Sequence, residues 1–511
     1  MNYTVGLDLG TTNCKAIALG DDGNILCSTS SSYQLRFPHA GWVEQDPDEV
    51  WLAVQNSLRS LNITSLPGDF IGICISGAMH SVLPINANNQ ALAPAMTWAD
   101  QRASVQADKL RKIVDLSSIY NRTGCPLNTI YHCPKILWWF EEAPQIARQT
   151  EKFVAIKDYI LFQLTGRWVT DRGLASTTGL LNIHLGEWDQ ELLKLARINN
   201  STLPTLTWAT DSIGKLSKNG AVSSSLPEHT NVIIGTHDGG LANIGAGAFS
   251  FNQKVITVGT SGAVRQFVEK PALDNLQRTW CYLTLRNQWL VGGAINNGGL
   301  AVEWIRERFY SSYLQVNGYA KLFKEASYIL PGADGLLFLP YFTGERSPYF
   351  DPAIRGAIFG LSLHHQRAHL ARAALEGVAF CIADVYLALL SAQSPKTEEN
   401  ETMLLTGGIT QSSVWMQILT DILGTNLTSV DVADASAIGA AMLAHQALGS
   451  KSFSQLASAI PLGISLTPDS KNHEFYQKLH QKYLDQVAVI RANDSSIIPR
   501  FSKFPQTQTK V

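Results

Sequence analysis

Seven cysteines are scattered through 511 residues, at Cys14, Cys27, Cys74, Cys125, Cys133, Cys281 and Cys381. No two form a Cys-x-x-Cys pair and the total is odd, which excludes a disulfide frame or a cysteine zinc site and points to reduced thiols in a cytoplasmic protein. Neither sign of charge is in excess: 40 Lys and Arg stand against 42 Asp and Glu, a net −2. That balance provides no electrostatic case for binding nucleic acid or an anionic membrane. No charged-then-apolar leader precedes the first strand-like segment, so no signal peptide is expected. The most apolar stretch, 368–390, is interrupted by Arg372, Glu376 and Asp384, so no unbroken membrane-length run is present. There is no Gly-x-x-x-x-Gly-Lys-[Ser/Thr] loop, and the His-Arg-Asp and Asp-Phe-Gly pair is missing too. Low-complexity tracts are absent.

What is present is an ordinary core-forming composition, 45% hydrophobic and 16% charged, with a length that suggests two to four domains. The first twenty residues organise the rest. Val5, Leu7 and Leu9 alternate with Gly6, Asp8 and Gly10, the two-residue period of a strand. Gly10, Thr11 and Thr12 then break the run before a second β-prone stretch carrying Lys15. This predicts a hairpin whose tip offers backbone N–H groups and hydroxyls, suited to cradling phosphate oxygens. Asp8, just before the tip, is placed to hold a hydrated magnesium ion. Half a chain later Val255–Val264 repeats the pattern around Gly259, Thr260 and Ser261, as an internal duplication would. Two such clasps facing each other could grip a triphosphate.

Between the repeats, Asp46-Pro47-Asp48-Glu49 predicts a helix start, with an N-cap, a first-turn proline and acids near the positive end. An apolar strand over 70–77 delivers Met79 and His80 to a loop, and strand ends in α/β sheets are where ligands bind. Trp98, Asp100 and Arg102 are expected to open a helix. An aromatic face, a carboxylate and a guanidinium at that spacing suit a polyol, the alternative being a core Trp beside an Asp–Arg pair. The stretch 155–164, closed by Gly166, predicts a helix, and 170–178 a polar loop. A strand over 232–235 presents Asp238 and Gly239, followed by a small-residue helix. Residues 292–299, with Asn297, form a polar glycine loop suited to a nucleotide cleft. The loop Gly344-Glu345-Arg346-Ser347-Pro348 is charged and rigid, with no task assigned. Gly407 and Gly408 end an apolar strand ahead of a helix that begins near Ser412 and closes at Gly424. The segment 435–441 reads as a small-residue helix packed on its sheet, and the chain beyond 448 as patches of polar helix and a tail.

The two glycine–threonine tips together with Gly407 and Gly408 resemble the phosphate and adenosine loops of the sugar-kinase/actin/chaperone ATPase superfamily. Gly356 to Leu361 followed by His369, Ala373, Ala374 and Glu376 resembles the C-terminal signature of the FGGY carbohydrate kinases. Lys135, Trp138, Glu141 and Glu142 resemble the N-terminal one, with departures at Ile130 and His132. The resemblance runs from residue 3 to about 448. It implies an α/β fold of two ribonuclease-H-like domains around a central cleft: 1–247 with the sugar site, first phosphate loop and base, 248–447 with the ATP site, and 448–511 as an extension.

The resemblance further implies ATP with Mg2+, and Asp238 as general base for a sugar hydroxyl. Asp8 and Asp238 would stand at the metal. Gly10, Thr11, Thr12, Lys15, Gly259, Thr260, Ser261, Asn297, Gly407, Gly408 and Ser412 would lie at the nucleotide. Met79, His80, Trp98, Asp100, Arg102, Asp238 and Gly239 would lie at the sugar. Within the family, the run from Gly259 to Arg265 and that from Ala294 to Gly299 resemble the gluconate-phosphorylating branch more than glycerol or xylulose kinases. Arg102 is the expected partner of the acid. A pentulose kinase, and a non-catalytic nucleotide-gated binding protein on the same fold, are the alternatives. Oligomeric state is not legible; a homodimer is compatible.

Overall fold

The computed structural model describes residues 1–251, 253–311, 318–393 and 403–492. The alternating first segment forms β1 (Asn2–Leu9), which pairs antiparallel with β2 (Asn13–Gly20) around the 10–12 tip, and β2 pairs with β3 (Ile25–Ser32). On its other edge β1 runs parallel to β4 (Asp69–Gly77); β5 (Ser212–Lys215) and β6 (Asn231–Ile233) complete the order β5-β6-β4-β1-β2-β3. The second half repeats the plan. β7 (Lys254–Val258) and β8 (Gly262–Val268) make the hairpin, with β9 (Trp280–Leu285) and β10 (Gln288–Ile295) beyond it. β11 (Met403–Thr406), β12 (Leu427–Val430) and β13 (Leu462–Leu466) extend the other edge, giving β9-β10-β8-β7-β11-β12-β13. With the outer strands set aside, β3-β2-β1-β4-β6 and β10-β8-β7-β11-β12 follow one scheme: three antiparallel strands continued by two parallel ones. The duplication read from two short tips is a duplication of whole sheets.

Helices cover both sheets. α1 (Pro47–Leu61) starts where Asp46 accepts from the N–H groups of Asp48 and Glu49. Its Val50, Val54, Leu58 and Leu61 bury against Val5, Leu7 and Leu9 and against α2 (Ile156–Thr165), which Gly166 closes at φ 72°. α3 (Asp238–Gly245) leaves β6; α4 (Gly299–Phe309) follows the second tip; α5 (Arg367–Ser391) and α6 (Ser413–Leu423) pack on the second sheet. α5 is long and apolar enough to cross a membrane by composition, but most of it is buried within this protein. Its three buried charges are satisfied with the help of the last helix, α8 (Ser470–Ala492): Arg372 pairs with Glu376 and both bond the Tyr476 hydroxyl, while Asp384 bonds His480. The C-terminal extension is thus part of the core through Tyr476, Leu479, Tyr483 and Val487; the tail beyond 492 lies outside the described residues.

Two elements differ from expectation. The small-residue helix α7 (Ala435–Ala447) belongs by chain order to the second half, yet it packs on the first sheet. Thr4 Oγ1 donates to the Ala441 carbonyl (2.8 Å) and His445 bonds the Leu19 carbonyl (3.0 Å). Gly6 permits this, because a Cβ there would stand 1.9 Å from the Ala437 carbonyl. Likewise the stretch 170–178 is not a polar loop but a buried strand and short helix. Asp171 forms an unexposed ion pair with Lys157 (2.5 Å), and the Thr177 and Thr178 hydroxyls donate to carbonyls one turn back. Its polar groups satisfy one another, so polarity did not mean exposure.

Candidate active site

Between the two sheets lies a cavity of about 270 Å³ that takes its walls from both halves. Thr11 from the first hairpin tip and Ser261 from the second line the same space, and Asp238 stands in it. The tips are held by backbone geometry. Gly10 N–H bonds the Asn13 carbonyl (3.0 Å), and Tyr33 and Gln45 donate to the carbonyls of Gly10 and Thr11. At the second tip, the N–H groups of Gly298, Gly299 and Leu300, which open α4, donate to the carbonyls of Thr260 and Gly259. Thr12, Thr260 and Ser261 are exposed, and of the three Ser261 lines the cavity.

Asp238 is the first residue of α3, with His237 as N-cap, so its carboxylate sits at the positive end of a helix. Gly239 N–H donates to Asp238 Oδ1 at 2.7 Å. Burial pushes the carboxyl above its ordinary value, while Arg265 and Arg346 pull it back. The His237 ring is fully engaged, accepting from Gly240 N–H and bonding Thr284 Oγ1 (3.0 Å), and burial lowers it to about 3, so it is neutral. Asp8 accepts from Ser76 Oγ at 2.6 Å; burial, aided by the charges of Asp238 and Asp434 and opposed by the Ser76 bond and Lys15, pushes it up to about 7. Asp8 does not line the cavity itself but lies close enough for the charge of Asp238 to act on it, and two such carboxylates are an oxygen donor set that suits Mg2+, which takes one or two protein carboxylates and fills its shell from water and phosphate.

Met79, His80 and Trp98 line the opposite wall. His80 sits at φ 68° after β4 and donates from Nδ1 to the Thr177 carbonyl at 2.8 Å, which leaves Nε2 as an acceptor. Burial and the nearby Lys135 hold it well below the usual imidazole range. Trp98 Nε1 donates to Thr11 Oγ1 (3.3 Å). Lys135, fully buried, donates to the carbonyls of His80 and Thr97, both at 2.7 Å, and so ties the two loops together.

Several expected contacts lie elsewhere. Asp100 and Arg102 do not line the cavity: Arg102 pairs with Asp100 (2.6 Å) and Glu44 (2.7 Å) and stacks on Trp42, its side chain 2% exposed. Asp100 also takes the N–H groups of Val43 and Arg102, so the helix begins only at Ser104. Asn297 is wholly buried, bonding Gly344 and Thr343, and Ser412 Oγ caps α6 through Trp415 N–H. Lys15 pairs with Asp434. Gly407 and Gly408 are exposed at the end of β11 beside Val258, outside the enclosed volume.

Sequence reasoning missed Arg346. It lines the cavity with its guanidinium over Trp98 (5.1 Å to the ring centre), held by Asn296 Oδ1 (2.8 Å) and the Ile295 carbonyl (3.0 Å). The asparagine pair thus fixes the 343–347 loop. A charged loop between two apolar strands was the available signal.

Two like α/β domains, each presenting a hydroxyl-bearing hairpin tip to one cleft with a half-buried carboxylate between them, make this a member of the actin-like ATPase fold class. The chain belongs to the FGGY family of carbohydrate kinases: the family's N-terminal domain matches residues 3–245 and its C-terminal domain 255–448. It is 34% identical over 485 residues to the gluconokinase of Bacillus subtilis (strain 168), covering 94% of each chain. It is 30% identical over 494 residues to the xylulose kinase of Lactococcus lactis subsp. lactis (strain IL1403), covering 94% of this chain and 95% of that one. A gluconate kinase and a ligand-bound xylulose kinase, both from Lactobacillus acidophilus, each superpose with a TM-score of 0.90 at 30% identity, over 96% of this chain and 99% of theirs.

Proposed function

We propose that the protein transfers the terminal phosphoryl group of ATP to a sugar acid, with D-gluconate as acceptor and 6-phospho-D-gluconate and ADP as products. The observation that carries the acid is the cationic wall: Arg265 and Arg346 both line the cavity that holds Asp238, and the gluconokinase relatives support the same reading. The acceptor packs on Trp98, with His80 Nε2 accepting from one of its hydroxyls. Asp238 takes the proton of the attacking hydroxyl, which is a poor nucleophile while protonated. The tips at Gly10–Thr12 and Gly259–Ser261 hold the phosphates, and positioning with electrostatic stabilisation supplies most of the remaining acceleration. Asp8 and Asp238 would hold Mg2+, whose charge offsets that of the phosphates. Gly407 and Gly408 offer bare backbone to the adenosine. A need for ATP makes the cytoplasm the site of the reaction.

An ADP-release assay over gluconate, xylulose, ribulose, xylitol and glycerol tests the reading. Gluconate should show the highest kcat/KM; a higher value for any neutral acceptor replaces it. Xylulose is the second candidate, because a xylulose kinase superposes as well as a gluconate kinase does.

A further inference from the structure

Three arginines stand near the cleft, and their surroundings differ. Arg102 is enclosed by two carboxylates and Trp42 and has no access to the cavity. Arg346 reaches the cavity but is fixed by Asn296, the Ile295 carbonyl and Trp98. Arg265 is different. Among the described residues its only hydrogen bond is a long one, 3.4 Å from Nη1 to Thr257 Oγ1, and it has no ion-pair partner. Burial lowers its affinity for its proton, and the nearby Asp238 partly restores it without forming an ion pair. Its side chain passes beside the base: a Cβ added at Gly239 would lie 3.5 Å from Arg265 Nε.

Arg265 is half-buried and lines the cavity, with donors left free for an anion held there. Its planar fork fits a carboxylate through two parallel bonds. Because Arg265 and Asp238 line one space without forming an ion pair, an acceptor there can present its acid to the one and a hydroxyl to the other. We infer that Arg265 is the residue that binds the carboxylate of the acceptor and so sets preference for an acid over a neutral sugar. Arg346 stiffens the wall above Trp98. This inference rests on the sugar-acid reading above.

The test compares wild type, Arg265→Gln, Arg265→Lys and Arg346→Gln on gluconate, xylulose and xylitol, with ATP affinity and near-ultraviolet circular dichroism as checks of folding. Arg265→Gln should lower kcat/KM for gluconate about 100-fold, mostly through KM, and collapse the ratio of gluconate to neutral acceptors. Arg265→Lys should recover part of that ratio. An equal loss on all three acceptors, carried by kcat, would assign Arg265 to the transferring phosphoryl and overturn the inference. So would an acid preference that survives Arg265→Gln but disappears in Arg346→Gln. A wild type without preference for gluconate removes the sugar-acid reading and this inference with it; a preference that outlasts the loss of Arg265 removes the inference alone.

Discussion

A carboxylate serves as a base when it is buried enough to hold a proton and ionised enough to seek one. Asp238 meets both conditions through burial set against two guanidinium groups and the start of α3. Asp238→Asn should lower kcat about 100- to 10,000-fold, the range for a positioned general base, while titration with ATP in the absence of Mg2+ gives an unchanged Kd. Glu345, buried beside Arg346, offers a separate check. Its Oε1 accepts from the N–H groups of Asn296 (2.5 Å) and Arg346 (2.8 Å), whereas Oε2 is buried without a partner. Burial pushes this acid up to about 7. Because the folded value exceeds the unfolded one, the unfolded chain releases its proton first as pH rises. The resulting stability is present below the ordinary glutamate range and is lost as pH climbs through about 7. Glu345→Gln should therefore melt with wild type at pH 4 and above it at pH 8. Equal melting temperatures at both would show that the proton is not held there.

At the scale of elements, the close contact of α3 with α7 positions the base. Gly245 and Gly439 meet across that contact, and a Cβ on Gly439 would stand 1.9 Å from the Leu241 carbonyl. No side chain can yield there, because the obstacle is backbone. Gly439→Ala should cost about 1–3 kcal/mol or more of unfolding free energy by the overpacking rule, measured as a lower urea midpoint. It should also impair turnover, since Leu241 belongs to the helix that carries Asp238. The loops on the sugar side depend instead on Lys135. Replacing it by Met strips a donor from two buried carbonyls, His80 and Thr97. The acceptor KM should rise about 10-fold, the equivalent of one lost buried hydrogen bond, with the Kd for ATP unchanged.

Over the whole molecule, α7 joins the halves on one side and the cleft parts them on the other, so closure about that joint is the expected motion. Closing over both substrates would exclude water and keep ATP from hydrolysis. Small-angle scattering should give a smaller radius of gyration with gluconate and a non-hydrolysable ATP analogue than without ligands; superimposable profiles would count against closure. The last helix belongs to the same unit. A chain ended at residue 469 would uncover the apolar face that Tyr476, Leu479, Tyr483 and Val487 cover and leave Arg372 and Glu376 without the Tyr476 hydroxyl. It should be recovered mainly as aggregate.

Chemistry local in the chain was legible from residues alone. The alternation of Val5, Leu7 and Leu9, the two glycine–threonine tips, the cap at Asp46 and the strand leading to Asp238 each follow from short-range periodicity and turn geometry, which act within a few residues. Partners distant in sequence were not. Whether Arg102 reads a ligand or pairs with Glu44, whether Asn297 faces nucleotide or fixes the Arg346 loop, and which sheet receives α7 depend on groups brought together from far along the chain. A side chain's charge is written in the sequence. Whether that charge is already neutralised is decided only by what folding packs against it.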